Sequence, residues 1–208
     1  HFARSWFLRT KELVDKYDPD RLYLDGGIPN GDYGLNLAAH FYNEGILRRG
    51  KQDRVFTIKR TSPKGFTHDN EAAGADRLMN EPFMVDTSVN PGWFYLGGQM
   101  SSGESGADDT GAARTDASTF GPDRIRLSGG QVVDNLVDIV SKNGNMMLNV
   151  GLRPDGSLPD TFRQELRAVG AWLDMNGEAI YGTRPFTVFG EGPFKKPESG
   201  SHFDDNLY

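Results

Sequence analysis

Arg21-Leu22-Tyr23-Leu24-Asp25-Gly26-Gly27 decides the fold. A short run of aliphatic and aromatic side chains ends on a carboxylate and then on two glycines, which reads as a buried strand opening into a loop. Upstream, Phe2, Trp6, Leu13 and Tyr17 fall close to one helical face, with Ala3, Phe7 and Val14 beside them. Asp18-Pro19 stops that helix, because proline disfavours helical geometry in the residue before it. Downstream, Pro29-Asn30-Gly31 punctuates the chain, residues 35–49 read as a second amphipathic helix closed by Gly50, and residues 54–59 read as a second strand. Helices that alternate with strands in this way predict a parallel sheet with crossover helices packed outside it.

The pattern continues with one interruption. Residues 82–86 read as another short strand. Residues 96–130 are dominated by Gly, Ser, Asp and Thr and lack periodicity, so they read as a long surface loop or insertion. Residues 131–142 carry a wide apolar face (Val132, Val133, Leu136, Val137, Ile139, Val140) and end at Asn143-Gly144, a helix-stop signal. Residues 145–151 form a further strand, Pro154-Asp155-Gly156 a turn, and residues 159–175 a helix with Phe162, Leu166, Val169 and Leu173 on one side. After Thr183, the alternation of Phe186 and Val188 predicts the start of β-structure. His1 follows no leader-like stretch and the last residues bring no closing element, so the chain is read as an internal piece of a longer protein.

Composition narrows the function classes. The 208 residues suffice for one large domain or two small ones, and 37% hydrophobic residues together with 26 glycines match the globular norm. A net charge of −6 argues against non-specific nucleic-acid binding, which needs a basic face. The absence of cysteine removes disulfides, cysteine-based zinc sites and thiol nucleophiles. No apolar run approaches the ~18 residues of a membrane span.

In barrels and open α/β sheets, reactive side chains sit at the carboxyl ends of parallel strands. Asp25 is delivered there, and two glycines leave space after it. Hydrolysis of a glycosidic bond needs two carboxyl groups, one ionised and one able to hold a proton. Glu71, Glu81 and Asp86 all fall in the following segments, and spacing alone does not choose among them. Trp93 and Phe94, in Pro91-Gly92-Trp93-Phe94-Tyr95, offer aromatic surface for a sugar. Core packing is the expectation for Phe94, less so for Trp93. His40 and His68 lack a second ligand at metal spacing, no phosphate-loop pattern is present, and no Gly-x-Ser-x-Gly elbow marks a serine hydrolase.

Four segments carry a resemblance. They are residues 17–26 around Tyr23-Leu24-Asp25-Gly26; Pro82-Phe83-Met84-Val85-Asp86-Thr87-Ser88 running on to Trp93-Phe94-Tyr95; Val140-Ser141-Lys142-Asn143-Gly144-Asn145-Met146-Met147-Leu148-Asn149-Val150-Gly151 with Pro154-Asp155-Gly156 after it; and residues 166–185 with Asn176-Gly177-Glu178-Ala179-Ile180-Tyr181. In this order they resemble glycoside hydrolase family 29, the α-L-fucosidases, over nearly the whole chain.

The resemblance implies an α/β fold, the second half of a (β/α)8 TIM-like barrel, running into the start of a C-terminal β-sandwich. Residues 1–182 would be the barrel portion, with the insertion at about 96–130, and residues 183–208 the beginning of the β domain. It implies a retaining exo-glycosidase acting on fucosylated glycans or glycoconjugates, without cofactor or metal, in a secreted, periplasmic or lysosomal setting. Asp25 matches the nucleophile and Glu71 the general acid/base, with Glu81 as the alternative. Tyr23 and Trp93 match aromatics that line the sugar pocket, and Lys59 or Arg60 the basic residue near the sugar hydroxyls. Phe83-Met84-Val85 departs from the family's Trp-Gln-Thr, and Ala72-Ala73 from its Arg-Gly. Two rival readings follow from such departures: a non-catalytic or inactive sugar-binding piece, and a related α-L-glycosidase acting on L-galactose.

Overall fold

The computed structural model describes residues 1–59, 65–70, 74–90, 93–95 and 125–191. Its elements are α1 (Phe2–Tyr17), β1 (Arg21–Leu24), α2 (Asp32–Arg49), β2 (Val55–Lys59), β3 (Thr67–Asp69), β4 (Phe83–Ser88), α3 (Gly129–Ser141), β5 (Gly144–Asn149) and α4 (Asp160–Asn176), followed by a 3-10 turn, Gly177–Ala179. The strands stand in the sheet in their chain order, β1-β2-β3-β4-β5. The chain divides into two compact units, one of residues 1–70 and 82–84, the other of residues 71–81 and 85–208.

In the first unit, β1, β2, β3 and the start of β4 pair in parallel, with Leu24 opposite Ile58, Ile58 opposite His68 and His68 opposite Phe83. Successive side chains of a strand point to opposite faces, and in-register neighbours share one. Leu22, Leu24, Phe56 and Ile58 therefore lie on one face, where they join Val14 of α1 and Leu37, Ala38 and Phe41 of α2 in the core. Phe41 and Phe56 meet edge to face at 5.8 Å, and Phe56 meets Phe66 at 5.1 Å. α1 ends at Asp18, whose left-handed backbone (φ 47°) lets its N–H reach Val14 O. Arg49 donates to both the carbonyl and the carboxylate of Asp18, and buried Arg54 donates to that carboxylate as well. Gly45 is required where α2 crosses Arg54, since a Cβ there would lie 2.8 Å from Arg54 Cδ.

β3 has no counterpart among the elements read from the sequence. A parallel neighbour normally needs a crossover of a dozen or more residues. β3 itself spans only three residues, about 10 Å at ~3.3 Å per residue. Between β2 and β4 no helix occurs among the described residues, so the strict alternation expected from the sequence lapses there.

In the second unit, Val89, Leu127, Val132, Val133, Phe162 and Val169 form the core, with Met146, Leu148 and Val150 packed against it. α3 starts two residues earlier than the apolar periodicity suggested. Ser128 caps it through a reciprocal pair: Gln131 N–H donates to Ser128 Oγ, and Ser128 N–H donates to Gln131 Oε1. Gly129 and Gly130 thus belong to the helix and not to the expected insertion, whose residues 96–124 lie outside the described residues. A Cβ on Gly129 would sit 2.8 Å from Glu165 O, so glycine lets α3 approach α4. Asn143, at φ 76°, turns the chain from α3 into β5. Residues 183–191 contain no strand, and residues 192–208 lie outside the described residues.

Candidate active site

The second face of the first unit's sheet is polar and largely closed to solvent. Arg21, Tyr23, Thr57, Lys59, Thr67, Asp69 and Met84 share it by register. Thr57, Lys59, Asp69 and Met84 are all buried. A charged row inside a sheet costs desolvation unless its members find partners; Asp69 finds one in Tyr23, whereas the neutral Thr57 hydroxyl in the same row is buried with none. Tyr23 Oη donates to Asp69 Oδ2 at 2.5 Å. Neighbouring strands stand ~4.8 Å apart, so the Tyr23 side chain spans β2 to reach β3, over the small Thr57. Arg21 Nη1 lies 2.8 Å from Met84 Sδ. Burial pulls the Arg21 guanidinium below its ordinary value, and the Asp69 carboxylate pushes it back up.

The carboxyl ends of the strands carry the candidate chemistry. Asp25 follows β1 directly, and its side chain is 80% exposed while that of Lys59 is 10% exposed. Lys59 Nζ stands 3.4 Å from Asp25 Oδ1. The main chain reinforces the arrangement: Lys59 N–H donates to Gly26 O at 2.9 Å. Gly26 has φ 116°, a conformation that requires glycine. Asp25 is therefore held on a loop pinned to the end of β2, with a cation beside it and open solvent before it. Of the two basic candidates, Lys59 lies on the polar face; Arg60 lies outside the described residues, as does Glu71. Glu81 is exposed in the segment before β4, in the second unit.

In the second unit, Trp93 is partly open and Phe94 is 78% exposed. The expectation of core packing for Phe94 is corrected: residues 93–95 are gripped by their main chain, which leaves the Phe94 ring outward. Asn149 Nδ2, at the end of β5, donates to Trp93 O at 2.9 Å and to Ser88 Oγ at 3.1 Å. Asn90 Nδ2 donates to Phe94 O at 3.2 Å. Asp86 is buried within β4.

Sequence reasoning passed over Asp69, Ser88, Asn90 and Asn149 as functional candidates. Asp69 ends a strand too short to show a period. Asn149 was visible as a polar residue closing the Met146-Met147-Leu148 run. His40 bonds Asp15 at 2.6 Å and ties α2 to α1. Among the described residues, no group of three or more His, Cys, Asp or Glu side chains is placed to hold a metal ion.

A parallel sheet whose strands follow chain order, with a carboxylate and a cation at adjoining carboxyl ends, is an α/β arrangement consistent with part of a (β/α) barrel. Comparison with known proteins specifies the family. The profile described as Alpha-L-fucosidase matches residues 120–178. Tissue alpha-L-fucosidase of Bos taurus is 47% identical over 206 residues, covering 91% of this chain and 38% of that protein. Plasma alpha-L-fucosidase of Homo sapiens is 45% identical over 178 residues, covering 83% of this chain and 33% of that protein. Among solved structures, the Thermotoga maritima alpha-fucosidase in complex with fucose superposes with a TM-score of 0.61 at 26% identity, covering 89% of this chain and 36% of that one. The chain belongs to the alpha-L-fucosidase family. It spans 38% and 33% of the length of these two relatives.

Proposed function

We propose that this chain is the second half of the catalytic barrel of a retaining α-L-fucosidase that removes terminal α-L-fucosyl residues from glycans. Residues 1–182 supply the barrel portion and residues 183–208 lead into a C-terminal β-sandwich. The observation that carries the reading is the pairing of Asp25 with Lys59 at adjoining strand ends, 3.4 Å apart, on the polar face of the sheet. The T. maritima relative is described as binding fucose, and the same sugar is the substrate proposed here.

Asp25 Oδ forms a bond to the anomeric carbon as the bond from that carbon to the leaving oxygen breaks, and the leaving oxygen takes the proton of Glu71. Water then attacks the same carbon, returns a proton to the Glu71 carboxylate and releases Asp25. Retention requires the two carboxyl groups about 5–5.5 Å apart, against roughly 6.5–9.5 Å for inversion. Lys59 or Arg60 holds sugar hydroxyls, while Tyr23 and Trp93 supply aromatic walls. With its proton committed to Asp69, the Tyr23 phenol contributes a ring and not a donor.

The test is release of 4-nitrophenol from 4-nitrophenyl α-L-fucoside by the full-length polypeptide that contains this chain. Asp25→Ala should reduce kcat by several orders of magnitude, each tenfold being about 1.4 kcal/mol of barrier. Glu71→Ala should lose less, because this leaving group barely needs a proton; no loss at all moves the acid role to Glu81. Absence of turnover by the unaltered polypeptide refutes the reading and leaves sugar binding without catalysis.

A further inference from the structure

Residues 93–95 are held in an unusual way. Two successive carbonyls, those of Trp93 and Phe94, each accept a hydrogen bond from a different side-chain amide, Asn149 and Asn90. The two amides are joined through one hydroxyl. Ser88 Oγ accepts from Asn149 Nδ2 at 3.1 Å and donates to Asn90 Oδ1 at 2.9 Å, and Asn90 Oδ1 also accepts from Gly151 N–H at 3.0 Å. Both orientations are thereby settled. Asn149 uses its amide nitrogen for two acceptors, and Asn90 turns its oxygen to two donors and its nitrogen to Phe94 O. Ser88 and Asn90 are buried, and fully satisfied networks of this kind rigidify what they touch.

Gly151 completes the seat. A Cβ at that position would lie 2.9 Å from Tyr95 N and 3.2 Å from Phe94 C, so the segment presses directly on the backbone that follows β5. The grip falls on peptide groups, and the Trp93 ring keeps open surface. An aromatic that recognises a sugar through shape must hold its distance to a few tenths of an ångström, and a loop position alone does not provide that.

We propose that Asn149 and Asn90, linked by Ser88, are positioning residues that fix Trp93 as a sugar-facing wall, so that loosening them weakens discrimination between sugars of different shape. This rests on the reading of Trp93 as a substrate-contacting residue. Neither asparagine touches substrate; both act through the main chain of the aromatic segment.

The experiment uses the full-length polypeptide with 4-nitrophenyl α-L-fucoside and 4-nitrophenyl α-L-galactoside, comparing Trp93→Ala, Asn149→Ala, Ser88→Ala and the Trp93→Ala/Asn149→Ala pair. Asn149→Ala should raise KM for the fucoside about tenfold, leave kcat within about threefold, and narrow the fucoside-to-galactoside ratio of kcat/KM. Trp93→Ala should do the same, and the pair should be no worse than Trp93→Ala alone, as expected of residues acting as one unit. Ser88→Ala, the milder change, should show the same KM trend and keeps the test open if Asn149→Ala fails to fold. Independent, multiplicative losses in the pair, or an unchanged KM in Asn149→Ala and Ser88→Ala while Trp93→Ala raises it, overturn the clamp. An unchanged KM and ratio in Trp93→Ala overturn the reading of Trp93 itself, and the positioning role with it.

Discussion

Removing one oxygen tests the polar face of the sheet. Tyr23 Oη donates to the carboxyl group of Asp69, which is 2% exposed, and a hydroxyl bonded to a carboxylate makes a charge-assisted hydrogen bond. Such charge-assisted bonds contribute about 1.5–3 kcal/mol net. Tyr23→Phe keeps the ring that spans β2 and deletes only the donor, so Asp69 loses a partner it cannot replace with bulk water. The expected loss is about 1.5–3 kcal/mol, which lowers Tm by roughly 3–12 °C at the ~2–4 °C per kcal/mol usual for domains of 150–250 residues. Thermal unfolding followed by circular dichroism reads that change directly. Asp69→Asn separates charge from shape, and a cycle with Tyr23→Phe should return a coupling of about 1–3 kcal/mol for two groups in direct contact. A loss below about 0.5 kcal/mol for Tyr23→Phe, the range of ordinary surface changes, refutes both the bond and the pairing of Asp69 on this face.

Gly151→Ala should destabilise the protein by about 1–3 kcal/mol, the usual cost of overpacking a filled site, because its new methyl would meet the Tyr95 main chain at 2.9 Å; urea unfolding measures it, and a neutral effect would contradict the close seat. Asp18 gives a pH dependence. The hydrogen bond from Arg49, helped by Arg54 and Arg48, holds its carboxyl below the ordinary carboxylate value. With the folded-state pKa depressed, its contribution is present above about pH 4 and disappears as pH falls through the folded-state value. Asp18→Asn should therefore weaken the fold at pH 7 and make little difference near pH 2, and equal effects at both pH values would count against the arginine cluster.

Much of the architecture was legible because periodicity and punctuation agree. Leu22 and Leu24 alternate with Arg21, Tyr23 and Asp25, and the two sets fall on the two faces of β1. Gly50 and Asn143 end helices in the left-handed conformation their residue types favour. β3 was hidden because three residues carry no period, and its identity rests on pairing with β2 and β4 rather than on any local pattern. Asp69 was hidden with it. Asp25 and Lys59 could be nominated individually, but their approach depends on the register that sets β1 beside β2. The asparagine network was out of reach for a similar reason: Asn149 and the Trp93 carbonyl it holds are 56 positions apart, and no local pattern announces an amide that serves a peptide group.

The clamp at residues 93–95 has a partner at the other side of the segment it precedes. Arg126 N–H donates to Val89 O at 2.7 Å, just before the capped start of α3. Chain length between Tyr95 and Ile125 can therefore change while both attachment points stay fastened to the same few residues after β4. Doubling such a stretch costs only about 0.6 kcal/mol of closure entropy, far less than a misplaced core side chain. The second unit thus contains a socket: a position where evolution, or an engineer, can exchange the 29 residues between Tyr95 and Ile125 for others while its own core keeps its packing.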